Sequence, residues 1–276
     1  MANKLNSILV AIFDIFLYPV RNFSDEIKIL YISILSGIIF LLVYGKVSNQ
    51  KGLKKTKRKV AARILEVALY RHSVKVCLNA QLELLKQGVR YLTYALVPLL
   101  ILMIPALLIM AQMNFNFQNR GLKLNEDAII EISFDKASDL FDYSLSSDKG
   151  TVSPSLRIED ESKVFWKFKV DNIHTKENKN ITLNLVQDGG SLSIPVKLSD
   201  NGRPEFSTCS KSFFEAILFP SKYSISKDFK EIESISIRYP KAEQSYFGIK
   251  LNWIYVFLIV SILSGLVASK IFKVEI

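Results

Sequence analysis

Cysteine and histidine are scarce in this chain of 276 residues, which has only Cys77 and Cys209, His72 and His174. No metal spacing connects them. A zinc site, a Cys/His nucleophile pair and a redox dithiol are therefore excluded for want of raw material. The chain also lacks GxSxG, P-loop, GxGxxG and HExxH motifs, the usual routes to acyl transfer, phosphate cradling, dinucleotide binding and metal-assisted hydrolysis. Its densest acidic run, Glu159-Asp160-Glu161, has no histidine or apolar pocket beside it and no calcium-loop spacing, so it reads as a solvated turn. His174, in a polar loop sequence, reads as exposed. The expectation is a protein without covalent chemistry: no catalytic residue, no metal and no cofactor.

Apolar residues make up 49% of the chain and charged residues 22%. That balance excludes a disordered chain, a collagen and a disulfide-stapled miniprotein. The apolar residues gather into three runs, Ile29–Tyr44, Tyr91–Met113 and Leu251–Ser269. A helix needs about 20 apolar residues to cross a bilayer. The second and third runs reach that length outright. The first reaches it when Ile27 and Lys28 are included, with the lysine snorkelling to the headgroups. Tyr31, Tyr44, Tyr91, Tyr94, Trp253 and Tyr255 sit near the run ends, as interfacial anchors do. The first run has no basic stretch just before it and no small-x-small site after it, so it reads as a retained span and not a signal peptide. No span carries a charge near its centre. This removes the usual mark of a proton relay, voltage sensor or ion pathway.

The net charge of +10 is unevenly placed. Residues 46–90 hold twelve Lys/Arg against Glu66 and Glu83, while 114–250 hold nineteen basic and twenty acidic residues. Basic loops near spans stay cytoplasmic. Residues 46–90 and the tail 271–276 are thus expected inside, and the N-terminus and 114–250 outside. This topology separates Cys77 from Cys209.

The expected fold class is membrane α plus β: three transmembrane helices, a cytoplasmic helical hairpin and an extracytoplasmic β-sandwich-like domain. The segments are an interfacial amphipathic helix in 1–26, a span in 27–45, the basic hairpin in 46–90, a span in 91–113, the β-rich domain in 114–250, a span in 251–270, and the tail. Within 4–19, Leu5, Ile8, Leu9, Ile12, Phe13, Phe16 and Leu17 recur at helical spacing, suited to lying in the interface or packing on the outer domain. The stripe Val60, Ile64, Val67, Arg71, Val74, Leu78, Gln81, Leu85 predicts one heptad seam. Topology requires a reversal, placed near Arg71-His72-Ser73. A basic helix lying on anionic headgroups after a break at Gly52 is the rival. Strands are predicted at 128–134, 164–170, 181–187, 191–198 and 232–239, with a hairpin turn at Asp188-Gly189-Gly190. Residues 212–219 read as a short helix or an edge strand. Pro98 and Pro105 predict bends in the second span. Ser33, Ser36, Gly37, Thr93, Tyr94, Ser261, Ser264 and Gly265 give the spans small or polar faces, suited either to close helix packing or to a slightly polar groove.

This order of parts resembles the core of the Oxa/YidC superfamily of membrane protein insertases. The likeness runs from about Asp14 to Met113: the interfacial helix, the junction Tyr44-Gly45-Lys46 into Lys51-Gly52-Leu53-Lys54-Lys55, and the proline-bearing second span. The chain differs from bacterial members in having no arginine within a span, and from small members in its outer region of about 135 residues. The resemblance implies an insertase or chaperone of the bacterial inner membrane. Its partners would be membrane lipid, nascent membrane proteins and the ribosome, or other membrane-complex subunits, but not DNA. It also implies that Lys54, Lys55, Lys57, Arg58 and Lys59 meet the partner, and that Ser33, Ser36, Thr93, Tyr94 and Ser261 line a groove. A membrane-anchored receptor or scaffold whose outer β domain binds an envelope partner is the alternative.

Overall fold

The computed structural model describes residues 2–70, 72–136, 143–147, 150–171, 180–187, 190–198, 203–226, 228–246 and 248–274. Arg71, His174 and the Asp188-Gly189 turn lie outside them. Three helices are long and apolar enough to cross a membrane: Asp25–Val47 (α2), Val74–Phe117 (α4) and Trp253–Phe272 (α6). Their length and composition mark the chain as a membrane protein. A separate antiparallel β region completes it. The chain divides into two compact units, Met1–Glu26 with Leu108–Trp253, and Ile27–Leu107 with Ile254–Ile276.

Helix α2 carries Asp25 and Glu26 in its first turn and Lys46 in its last, matching the helix dipole. The next helix, α3 (Gln50–Leu69), starts at Asn49, whose side chain accepts the Gly52 N–H at 2.9 Å. It ends at Leu69, and α4 begins at Val74. The reversal therefore falls at 70–73. It needs no glycine or proline, because Tyr70 closes α3 by donating its N–H to Glu66 and Cys77 Sγ donates to the Tyr70 carbonyl at 3.2 Å. Far from the turn, a Cβ on Gly52 would lie 3.0 Å from the Tyr94 ring. The two arms run antiparallel between these contacts.

The single heptad stripe does not survive the reversal. Ile64, Val74, Leu78, Gln81 and Leu85 are exposed. The residues that turn inward are Leu53, Thr56, Val60, Arg63 and Val67 on α3, and Ala80, Leu84, Gln87, Tyr91, Tyr94 and Pro98 on α4. Both sets step by threes and fours. On α3 the inward set keeps Val60 and Val67 of the predicted stripe, whereas on α4 it is shifted by one residue, with Ala80 and Leu84 in place of Gln81 and Leu85. An antiparallel arm is phased by its partner and not by the preceding helix, so a pattern counted across a turn loses its meaning.

The hairpin's second arm and the second span are one helix of 44 residues, about 66 Å long at 1.5 Å per residue. Pro98 and Pro105 lie inside it, each removing one backbone donor.

α2 and α6 pack closely. A Cβ on Gly37 would lie 2.0 Å from Ser264 Oγ and 2.2 Å from the Ser261 carbonyl oxygen, and one on Gly45 would lie 3.0 Å from Val274. The offset between partners is similar at both points, so the helices run parallel.

In the first unit, α1 (Ala2–Leu17) leads through a short 3-10 turn, Tyr18–Val20, toward Asp25. The β region holds β1 (Asp127–Phe134), β2 (Ser144–Ser147), β3 (Thr151–Val152), β4 (Leu156–Ile158), β5 (Lys163–Lys169), β6 (Asn180–Gln187), β7 (Gly190–Lys197), β8 (Thr208–Ser210), β9 (Ile232–Arg238), β10 (Gln244–Tyr246) and β11 (Ile249–Leu251). All five predicted strands are present. Residues 213–218 form helix α5 (Phe213–Leu218), so of the two readings of that stretch the helix is correct. One sheet runs β3-β5-β1-β9-β8 with β4 also on β5, a second runs β2-β6-β7, and β10-β11 form a ribbon. Alternation builds one core from both larger sheets: Ile130, Ile132, Val164, Trp166 and Phe168 from the first, Ile181, Leu183, Ile194 and Val196 from the second. A bulge after Ser133 lets Ile232 and Ile235, three apart, both turn inward on β9.

The chain enters β1 past a bidentate pair. Arg120 donates to both Glu126 carboxylate oxygens at 2.7 and 2.8 Å, and the Lys123 N–H adds a third bond at 3.0 Å. The Arg120 hydrogen bonds, opposed by partial burial, hold the Glu126 carboxyl down to about 2, against an ordinary 4.5. A carboxyl with a depressed folded value stabilises above its unfolded value and loses that contribution as pH falls through the folded one. Arg120→Gln is thus expected to cost about 1–2 kcal/mol at pH 7 for this partly exposed pair. The difference from wild type should vanish between pH 4.5 and 2. Thermal unfolding in detergent across that range checks this.

Candidate functional site

The basic residues of α3 divide into two groups. Lys51, Lys54, Lys55, Arg58 and Lys59, with Ala62, line one shallow concavity. Their spacing of three and one places them on a single helical face. Lys57 projects about 120° away from the centre of that face at 100° per residue. Four of the five residues expected to meet a partner therefore share a surface, and Lys51 joins them. Its recurrence at i, i+3, i+4, i+7 and i+8 with the others was a readable signal that a contiguous count of 54–59 passes over. Arg63 is drawn off by its ion pair with Glu66. Farther along the hairpin the exposed side chains turn apolar: Leu65, Leu69, Val74, Leu78, Leu82, Leu85 and Val89 are each more than half exposed.

The five expected groove residues do not come together. Ser33, Ser36 and Ser261 are buried. Ser33 Oγ donates to the Ile29 carbonyl at 2.6 Å and Ser261 Oγ to Leu258 at 3.1 Å, both within their own helices. Ser264 Oγ reaches the Ile34 carbonyl across the contact at 3.4 Å. Of the two readings of these small residues, α2 and α6 realise close packing. The sequence carries a signal for this pairing. The pentapeptide Ser-Ile-Leu-Ser-Gly occurs twice, at 33–37 and 261–265, and the two copies meet in the structure. Thr93 and Tyr94 lie instead on α4. Thr93 is exposed and donates to the Val89 carbonyl at 3.0 Å, while Tyr94 Oη accepts from Arg90 Nε at 3.3 Å.

α4 is the least covered of the three long helices. In its most apolar 18-residue window 11% is buried, against 33% for α2 and 22% for α6. Leu99, Leu100, Ile101, Met103 and Ile104 are all exposed.

The first unit holds a polar cluster at the end of α4. Arg203 donates to Asp25 at 2.5 Å and to Asn116 at 3.3 Å, with its guanidinium 4.9 Å over the Phe117 ring. Gln244 Nε2 donates to the Phe117 carbonyl at 3.0 Å, and Trp253 Nε1 to Gln118 at 2.7 Å. Burial, reinforced by the carboxylates of Glu26 and Asp25, pushes the Tyr246 phenol up to about 12, so it is neutral at any physiological pH. Among the described residues no His/Cys/Asp/Glu group is arranged to hold a metal ion.

No protein-family model, curated protein or solved structure matches this chain. Its class rests on the architecture: a membrane protein with three long apolar helices, a basic helical hairpin and an antiparallel β region.

Proposed function

We propose that the protein is an insertase-type membrane chaperone, in which α4 offers an apolar flank to the helix of a client membrane protein. The observation that carries this is the exposure of α4, while α2 and α6 pack on each other. The N-terminus and the β region would face outward, and the hairpin would lie in the cytoplasm of a bacterial cell. The basic face of α3 would attract the polyanionic surface of a ribosome. The apolar side chains of the hairpin would shelter a client segment before it enters lipid, as exposed apolar surface of this extent fits a protein partner. Burial of the client's own apolar helix drives the step, so no nucleotide is required. The polar groove is replaced in this reading by one exposed helix face bearing Thr93, Leu100 and Ile104.

Site-specific photo-crosslinking with stalled ribosome–nascent chains tests it. Probes at Thr93, Leu100 and Ile104 should give adducts that depend on nascent-chain length. A probe at Ser36 should link only to α6. Absence of client adducts at all three α4 positions overturns the proposal.

A further inference from the structure

Helix α1 is apolar on two sides. Phe13 and Leu17 are buried, and α1 packs against α5. Ile8, Ile12, Ile15 and Phe16 face away, between 45% and 71% exposed. α5 repeats the arrangement in one and a half turns. Ala216 is buried, while Phe213, Phe214 and Leu218 are exposed, Phe214 by 76%. The next residue, Phe219, is exposed too. The helix that carries these phenylalanines is the one α1 packs against, and Asp14 and Glu215 are the acids within the two helices.

An apolar helix face belongs against a protein core or in hydrocarbon. One side of α1 is satisfied by the protein. The other requires a second apolar medium, and the connectivity indicates which. Residues 18–24 link α1 to α2. Seven residues span at most about 25 Å when fully extended. The patch is thus tethered close to the surface of whatever bilayer α2 crosses. Arg21, exposed within the link, suits a headgroup phosphate.

We propose that α1 and α5 together form a lipid-binding foot, which seats the β region on the membrane through acyl-chain contact by Ile12, Ile15, Phe213 and Phe214. The occupant is phospholipid, entered to the depth of the headgroup–acyl boundary. This is independent of the insertase reading, because it concerns the β region and its leaflet, not a client.

The test uses the full chain, with Cys77 and Cys209 replaced by serine, in phosphatidylethanolamine/phosphatidylglycerol vesicles. Single cysteines at Ile15, Phe214 and the control Leu156, which is exposed on β4, are labelled with an environment-sensitive fluorophore. These positions are exposed, so the labels leave the core intact. Labels at 15 and 214 should be quenched by doxyl-lipids and shielded from iodide about threefold or more relative to 156. Iodide quenching at either position equal to that at 156 overturns the proposal. Protection from both quenchers also overturns it, since a protein surface would then cover the patch.

Discussion

Gly37→Ala is expected to destabilise the protein by about 1–3 kcal/mol, while Gly265→Ala in the second copy of the same pentapeptide is expected to be neutral or slightly stabilising. The new methyl at position 37 would lie 2.2 Å from the Ser261 carbonyl oxygen, which belongs to a helix backbone and cannot rotate away, and 2.0 Å from Ser264 Oγ, which can. Relief requires α6 to shift away from α2 and give up dispersion contacts around Ser261–Gly265. At position 265 the methyl would sit 3.5 Å from the Gly37 carbonyl oxygen, an ordinary contact. There the gain in helix propensity, about 1 kcal/mol at most, is uncancelled. Denaturation of both variants in mixed micelles reads the difference. Equal shifts would mean that the two copies do not pack in the manner described.

The second large effect concerns the basic face of α3. Replacing Lys54, Lys55, Lys57, Arg58 and Lys59 with glutamine is expected to lower ribosome affinity about 100-fold or more near 50 mM salt, and to flatten the salt dependence by about three to four units of slope. Each lysine or arginine that neutralises a phosphate releases about one counterion, so the effect follows the number of contacts made. Lys57 points away from the shared face, and Lys57→Gln alone should change the slope least. Lys51→Gln should behave like Lys55→Gln. The side chains replaced are exposed, so stability should be unchanged. Sedimentation with ribosomes over a salt series provides the measurement. Wild-type binding by the five-fold variant would remove α3 as the contact. Retained ribosome binding with lost affinity for anionic vesicles would assign the same face to lipid headgroups.

Much of this architecture is legible in the sequence. Three spans follow from run length, because the cost of an unpaired charge in hydrocarbon leaves long uncharged runs few other uses. Five strands follow from alternation, because a half-buried sheet imposes period two. The place of the hairpin turn follows from topology, although its residues carry no turn signature. What escaped detection was short or relational. β2, β3, β4, β8, β10 and β11 have two to four residues each, too few to show a period. The continuity of α4 from the hairpin into the span is invisible to hydropathy, which changes sign along a helix that does not break.

Tertiary contact settled the rest. Whether Ser33, Ser36 and Ser261 lined a groove or sealed a seam depended on which helices met, and α2 and α6 proved to be the pair. Whether α1 lay on lipid or on the β region depended on α5, and its two apolar faces allow both. Local composition states what a side chain would bury. The choice of partner is made between segments far apart in the chain, where shape and backbone approach distinguish surfaces of equal hydrophobicity.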